Sequence, residues 1–512
     1  MTLTTRTQSQ FTRPRRKRIS LATFIPLLCF ALLTGGANSD EGPRDRPNFV
    51  FLMTDDQPAG AVGCYGNKDV ITPNLDSLAR DGIRFQNHYV TSAICMASRS
   101  TVLTGLYEYR HGCNFERGNF ERRFLATSYP AQLRAAGYYT GFAGKIGFDL
   151  EGEPFDHLER EFDEWAGGPG QTEYETIKNK GIAKYADRYP HCSRAYAAWA
   201  ADFLKAAKRS GRPFCMSISF KAPHLPFRPD PLDLARYEGK TDFARPANYG
   251  VENGRHLSPQ SQTSRAATNY REWIKKYDET AKLYYALITG VDEAVGMIRR
   301  SLEDEGLSEN TILIFTSDNG YNCGAHGFGD KILPYEEASK VPLIIYDPRA
   351  PREKRGEVRT ALTANVDISP TILELAGVPS LSYIDGKSLV PVIAEADHSV
   401  RASLPLFNFW GIKTAQSMAI VTPEWKYIYW YYAGPAQPAE ELFRIEQDKL
   451  EMQNLVANPE YAEELRHLRR EYDNELTRLR NNANPTHGYP LYGILFDRTV
   501  PFDQKSHLVA PR

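Results

Sequence analysis

Cys95 and Arg99 stand four residues apart in the stretch Cys95-Met96-Ala97-Ser98-Arg99. On a helix that spacing puts both side chains on one face. A helix N-terminus with an arginine beside it attracts anions. The thiol also fits two plainer readings, a buried structural cysteine and a thiolate nucleophile. Other ionisable residues collect just past apolar runs. Residues 49–53 stop at Asp55-Asp56, "YYTGFAGK" stops at Lys145, residues 214–220 stop near His224, and residues 312–316 stop at Asp318-Asn319. Asp55, Asp56, Asp318 and Asn319 offer only oxygen donors, which suit Ca²⁺ or Mg²⁺ better than zinc. Lys145 and Lys331 would bring positive charge to an anion. Taken singly, each has a bland reading. An acidic pair after a strand is commonly a helix cap or turn former. A lysine is commonly solvated, and His224, set between prolines in "APHLPF", can cap a backbone carbonyl.

The elements that must carry these residues set the fold. Nearly continuous apolar strands alternate with helical patterns such as "TPNLDSLARDGI", "SYPAQLRAAG" and "TGVDEAVGMIRRSLEDEG". That alternation predicts an α/β fold with a mostly parallel sheet covered on both faces. In such sheets ligands bind beyond the carboxyl ends of the strands, and four strands here end in candidate site residues. Residues 418–434 alternate as antiparallel strands do. "NPEYAEELRHLRREYDNELTRLRNN" reads as a charged amphipathic surface helix. Segments 147–188 and 240–277 read as polar loops rimming the site. Trp165, Tyr174, Trp410 and Trp430 are candidates for stacking on sugar rings, although most aromatics are core.

The 512 residues, 42% hydrophobic, suffice for a large core and more than one domain. Arg13, Arg15, Arg16, Lys17 and Arg18 precede a mostly apolar run over residues 19–33, and Ala37-Asn38-Ser39 offers a cleavage site. This reads as a secretory signal peptide; the run is short for a membrane span, so no stable membrane insertion is expected. A retained N-terminal anchor is the alternative. The chain has 62 basic and 63 acidic residues, and losing the leader's six basic residues leaves a formal net charge of −7. No basic run remains, which argues against nucleic-acid binding. Six cysteines stay in the mature chain without CxxC or zinc spacing, so no disulfide pairing is assigned.

The segments "PNFVFLMTDDQ", "GCYGN", "CMASRSTVLTG", "SFKAPHLPF", "FTSDNG", "GAHGFGDKILPYEEASKVPLIIY", "VDISPTILELAGVP" and "ELFRIEQDKLEMQNL" together resemble the type I sulfatases of the alkaline phosphatase superfamily, over roughly residues 47–455. The resemblance implies an alkaline phosphatase-like fold: a large, mixed, mostly parallel sheet flanked by helices, with a small C-terminal α+β subdomain built on an antiparallel sheet. It places a signal peptide at 1–39, a catalytic domain at 40–390 and the C-terminal subdomain at 391–512. It also implies that Cys95 becomes Cα-formylglycine through a maturation enzyme and that Arg99 stabilises it. Asp55, Asp56, Asp318 and Asn319, with residue 95, would hold a divalent metal, usually Ca²⁺ (Mg²⁺ also fits). Lys145, His224 and Lys331 would bind the sulfate ester and handle the leaving group. The hydrated aldehyde would attack sulfur and later expel sulfate. The expected protein is a periplasmic or extracellular sulfatase, with a sulfated small molecule or glycan as substrate. Two positions depart from the family pattern. Ala97 stands where proline is commonest, and Gly147 stands where Lys-Trp-His-Leu-Gly supplies a histidine. His326 is a candidate replacement base. A phosphodiesterase or phosphonate hydrolase of the same superfamily, and a catalytically impaired glycan-binding protein, are the competing expectations.

Overall fold

The computed structural model describes residues 46–434 and 436–509. The expected leader, residues 1–39, lies outside them. Eight strands form the larger sheet: β1 (Asn48–Thr54), β2 (Ile83–Tyr89), β3 (Tyr139–Lys145), β4 (Glu164–Gly168), β5 (Phe214–Ser219), β6 (Thr311–Ser317), β7 (Leu343–Tyr346) and β8 (Val358–Ala364). Their order is β4-β3-β5-β1-β6-β7-β2-β8. Only β7 runs against its neighbours; the other pairs are parallel. The central strands β1, β5 and β6 are buried along their whole length, which is why they read as unbroken apolar runs.

Helices cover the sheet. They include α1 (Pro73–Asp81), α2 (Cys95–Thr104), α3 (Cys192–Ser210), α4 (Tyr277–Asp304) and α5 (Ile368–Leu375). Asp292 of α4 accepts hydrogen bonds from the N–H groups of Asn74 and Leu75 at 3.2 and 2.8 Å, capping α1 across the interhelix contact. Four further strands, β9 (Leu404–Asn408), β10 (Ser417–Val421), β11 (Lys426–Trp430) and β12 (Ala439–Phe443), make a separate antiparallel sheet in the order β12-β11-β10-β9. The helix α6 (Ala462–Asn482) packs on it through Leu465, Leu468, Tyr472, Leu476 and Leu479, as its periodicity predicts.

Two expectations need correcting. Segment 147–188 is not wholly loop, because it contains the edge strand β4, paired in parallel with β3. Its sequence, Glu164-Trp165-Ala166-Gly167-Gly168, is short and glycine-rich, which hides a strand from pattern reading. Trp430 and Tyr174 are core residues, almost completely buried, and Trp430 spends its indole N–H on Glu441 Oε2 at 2.9 Å.

Candidate active site

Sheet register builds the centre of the site. β1 and β6 run in parallel with Thr54 opposite Ser317. The next residues on each strand, Asp55-Asp56 and Asp318-Asn319, therefore meet at one edge. Asp318 N–H donates to Thr54 O at 3.1 Å, and Asp56 N–H donates to Asp318 Oδ1 at 3.2 Å. Asp56 adopts a left-handed φ of 69°, a conformation acidic residues tolerate at tight turns. Tyr284 of α4 donates to Asp56 O at 2.5 Å. All four of these oxygen-bearing residues are buried.

Cys95 is the first residue of α2, after the extended Ile94, and no side chain caps that helix start. Cys95 is 2% exposed. One turn later Arg99 locks the strands together. Its Nε donates to Asp318 Oδ2 at 2.7 Å, and Nη1 donates to Lys145 O at 2.6 Å and Ser219 Oγ at 2.7 Å. Its Nη2 lies 3.4 Å from Asp55 Oδ2. Lys145 ends β3 and pairs with Asp55, while Lys331 pairs with Asp56. Burial opposes the charge of Lys331, but Asp56, with Asp55, holds its pKa well above the ordinary lysine value. His224 Nε2 faces Asp56 Oδ2 at 3.8 Å. Its Nδ1 lies 2.6 Å from Leu225 O, an acceptor only, so Nδ1 carries the proton and Nε2 is left free.

All nine residues singled out in the sequence thus lie in or against one buried cluster. Three carboxylates there compete for three cations. Burial opposes ionisation of Asp55, but Lys145, with Arg99 and Lys331, holds its pKa well below the ordinary value. Burial pushes Asp56 up to about 6 against the pull of Lys331. It pushes Asp318 up to about 7 against the pull of Arg99. Burial also lowers His224 to about 3, so its ring is neutral at pH 7. Further positive charge would let all three acids ionise. Asp55 Oδ1 and Asn319 Oδ1 are buried and accept no hydrogen bond. Unpaired oxygens beside an all-oxygen donor set fit a hard divalent cation. Asp55, Asp56 and His224 also form one of the groups near enough together to share an ion.

Position 147 lies against the guanidinium that orders the site. Gly147 has φ +88°, and a Cβ there would stand 2.5 Å from Arg99 Cδ. A histidine at this position therefore requires a different backbone path. His326 does not fill the gap. It is buried elsewhere, with Nε2 2.9 Å from Asn248 Nδ2 and Nδ1 3.1 Å from Asn253 O. Sequence reading passed over Gln171, Ser219, Lys221 and Tyr284. Ser219 and Lys221 stand in the same strand-end segment as His224, a usable signal. Gln171, whose Oε1 accepts from Lys145 Nζ at 2.5 Å, lies in a segment without one.

Known proteins resemble this chain over most of its length. The profile of the family described as Sulfatase matches residues 47–378. A second, described as N-sulphoglucosamine sulphohydrolase, C-terminal, matches residues 324–481. The N-acetylglucosamine-6-O-sulfatase of Bacteroides thetaiotaomicron is 28% identical, covering 87% of this chain and 88% of its own. The human N-acetylglucosamine-6-sulfatase is 30% identical over 72% of this chain and 68% of its own. A solved structure of a protein in complex with its substrate D-glucosamine-2-N,6-O-disulfate superposes with a TM-score of 0.71. It is 27% identical and covers 86% of this chain and all of that one.

Proposed function

The chain belongs to the sulfatase family, and on that premise we propose an exported enzyme that removes ester sulfate from sulfated carbohydrate, using Cys95 as formylglycine beside bound Ca²⁺. It is a sulfuric ester hydrolase. In this reading residues 1–39 direct export, 40–390 form the catalytic domain and 391–512 a C-terminal subdomain. Among the described residues no helix is long and apolar enough to cross a membrane. The carbohydrate assignment draws on relatives named for 6-sulfated N-acetylglucosamine and on a fold neighbour bound to a disulfated glucosamine.

The observation that supports the reading is the buried convergence of Asp55, Asp56, Asp318 and Asn319, two of which, Asp55 and Asp318, contact Arg99 one helical turn after Cys95. The four oxygen donors and residue 95 would hold the cation, which, when bound, polarises the sulfuryl oxygens. Formylglycine supplies a hydrated aldehyde, a nucleophile that can release sulfate where a serine ester would persist. Arg99, fixed by its bonds to Asp318, Lys145 O and Ser219, keeps positive charge under residue 95. Lys145 and Lys331 present ammonium groups to the anionic ester. Free His224 Nε2 faces the same space. An anionic ester beside it raises its pKa from the depressed value, the direction a proton donor to the leaving oxygen needs. Position 147 offers no side chain, so sulfate release relies on Lys145, His224 and Lys331.

The test is the mass of the tryptic peptide ending at Arg99, from protein made in its native host. A loss of about 18 Da relative to the thiol, as CH₂SH becomes CHO, is expected. A full-mass, alkylatable Cys95 would overturn the mechanism and favour a binding protein on a sulfatase frame.

A further inference from the structure

Along the edge strand β4 and the segment that follows it lies a cavity of about 680 Å³, within the size range of small-molecule sites. Trp165 forms part of its wall, and Gln171, Thr172 and Lys221 line it. Gln171 joins it to the candidate active site through its bond to Lys145 Nζ. On the other side, the carbonyl of the next residue, Thr172, accepts from Lys221 Nζ at 2.7 Å. Lys221 also lies over the Tyr174 ring, with Nζ 5.0 Å from its centroid.

Lys221 differs from the other lysines of this region. It is 4% exposed, yet among the described residues no carboxylate lies within ion-pair distance of it. Lys145 and Lys331 are each paired with an aspartate. The wall carboxylates Asp156, Glu159 and Glu173 are exposed to solvent, as is Lys180. A buried ammonium held by a carbonyl and an aromatic face is under-neutralised: burial lowers its pKa, and the more distant charge of exposed Glu173 offsets this only in part. An anion reaching into the cavity would relieve that cost. Trp165 would offer the apolar platform that a sugar face stacks on.

We propose that this cavity is a subsite for a second acidic group of the substrate, a carboxylate or sulfate on the sugar bearing the ester or on its neighbour, and that Lys221 reads that group. The proposal rests on the sulfatase reading, since the ester itself must sit at Lys145 and Cys95.

The experiment compares wild type with Lys221→Met and Lys221→Arg on three esters: 4-nitrophenyl sulfate, glucosamine 6-sulfate and glucosamine 2-N,6-O-disulfate. In parallel, calorimetry measures binding of N-sulfoglucosamine and glucuronate, which carry no ester. Lys221→Met should lower kcat/KM on the doubly anionic ester by about 10- to 100-fold, mainly through KM. It should change the singly charged esters less than about threefold, and Lys221→Arg should recover most of the loss. The calorimetric arm separates a sulfate reader from a carboxylate reader. Equal losses on all three esters would make Lys221 merely structural and overturn the proposal. So would retained selectivity in Lys221→Met, or failure of both acids to bind wild type. If no ester is cleaved but one acid binds wild type and not Lys221→Met, the subsite stands and the sulfatase reading falls.

Discussion

Two of the buried ionic clusters among the described residues are built differently. One surrounds Lys426 of β11. Its ammonium reaches Glu336 at 2.9 Å, Glu451 at 2.7 Å and Pro334 O at 2.9 Å. Glu336 is shared with Lys340 at 3.1 Å and with the hydroxyl of Tyr89 at 2.9 Å. Glu451 Oε2 accepts from Glu336 N–H at 2.9 Å. This cluster ties the loop after β6 to the antiparallel sheet, and its charges are largely matched: only Glu451 Oε1, facing the Lys426 ammonium, lacks a hydrogen bond, and burial pushes Glu451 up to about 8 against that pull. The other cluster, at the ends of β1, β3 and β6, is incomplete. Asp55 Oδ1, Asn319 Oδ1 and Arg99 Nη2 are buried without a hydrogen bond. A structural ion pair gains by closure, because each unpaired buried charge is costly. A binding centre keeps acceptors open, and the surrounding fold bears the strain.

Substitution should separate the two. Cys95→Ala should lower sulfate-ester hydrolysis by at least about 10⁴-fold, as removal of a nucleophile does elsewhere. Its thermal unfolding should stay near that of wild type, since the change removes one small atom from a helix start. Lys426→Met should do the reverse. It leaves Glu451 buried without a cation and Glu336 with Lys340 alone, and should cost about 3–5 kcal/mol of stability, read by denaturant unfolding. The turnover of the folded fraction should hold within about twofold. A Lys426→Met protein of normal stability, or a folded one without activity, would break the distinction.

Calcium sharpens it. Added to chelated protein at about 100 times its Kd, the ion should stabilise the fold by about 2.7 kcal/mol. Asp55→Asn, which removes a charge from the open cluster, should lose most of that gain, while Lys426→Met should keep it. Equal calcium responses in the two variants would move the ion away from Asp55.

What the chain revealed in advance follows the same division. Strands β1, β5 and β6 are buried on both faces, so their apolar runs and the acids that stop them are local features. The parallel register then makes Asp55 and Asp318 neighbours without further instruction. β2 and β8 were harder, because Ile83-Arg84-Phe85-Gln86 and Val358-Arg359-Thr360 mix polar residues into half-exposed strands. The bonds that orient Arg99 come from Lys145 and Ser219, 46 and 120 residues away. Contacts of that kind are set by tertiary packing, not by any local pattern. The absence of a side chain at Gly147 was visible at once. Its consequence, that the Arg99 side chain lies with Cδ 2.5 Å from where a Cβ would stand, is a tertiary contact and leaves no local trace.

For a third kind of buried titratable group, neither ligand nor ion pair, titration should have no effect at neutral pH and act only as pH falls. His88 on β2 contacts Thr363 Oγ1 at 3.0 Å through Nδ1, and its Nε2 has no hydrogen-bond partner. His111 contacts Thr101 Oγ1 of α2 at 3.1 Å, behind the helix that carries Cys95 and Arg99. Burial lowers both to about 3. Their unfolded pKa is near 6.5, so below that pH the unfolded chain takes up protons that the folded chain refuses. Their contribution is therefore complete above about pH 6.5 and declines as pH falls toward 3, by about 1.4 kcal/mol per unit for each ring. His88→Gln should flatten the acid limb of the stability curve by about that slope, whatever offset the substitution adds at neutral pH. Calcium-loaded protein should show the same flattening, because neither ring touches the open cluster. An acid limb unchanged by His88→Gln would mean that His88 is protonated in the fold, and that this region, like the Lys426 cluster, tolerates a buried charge.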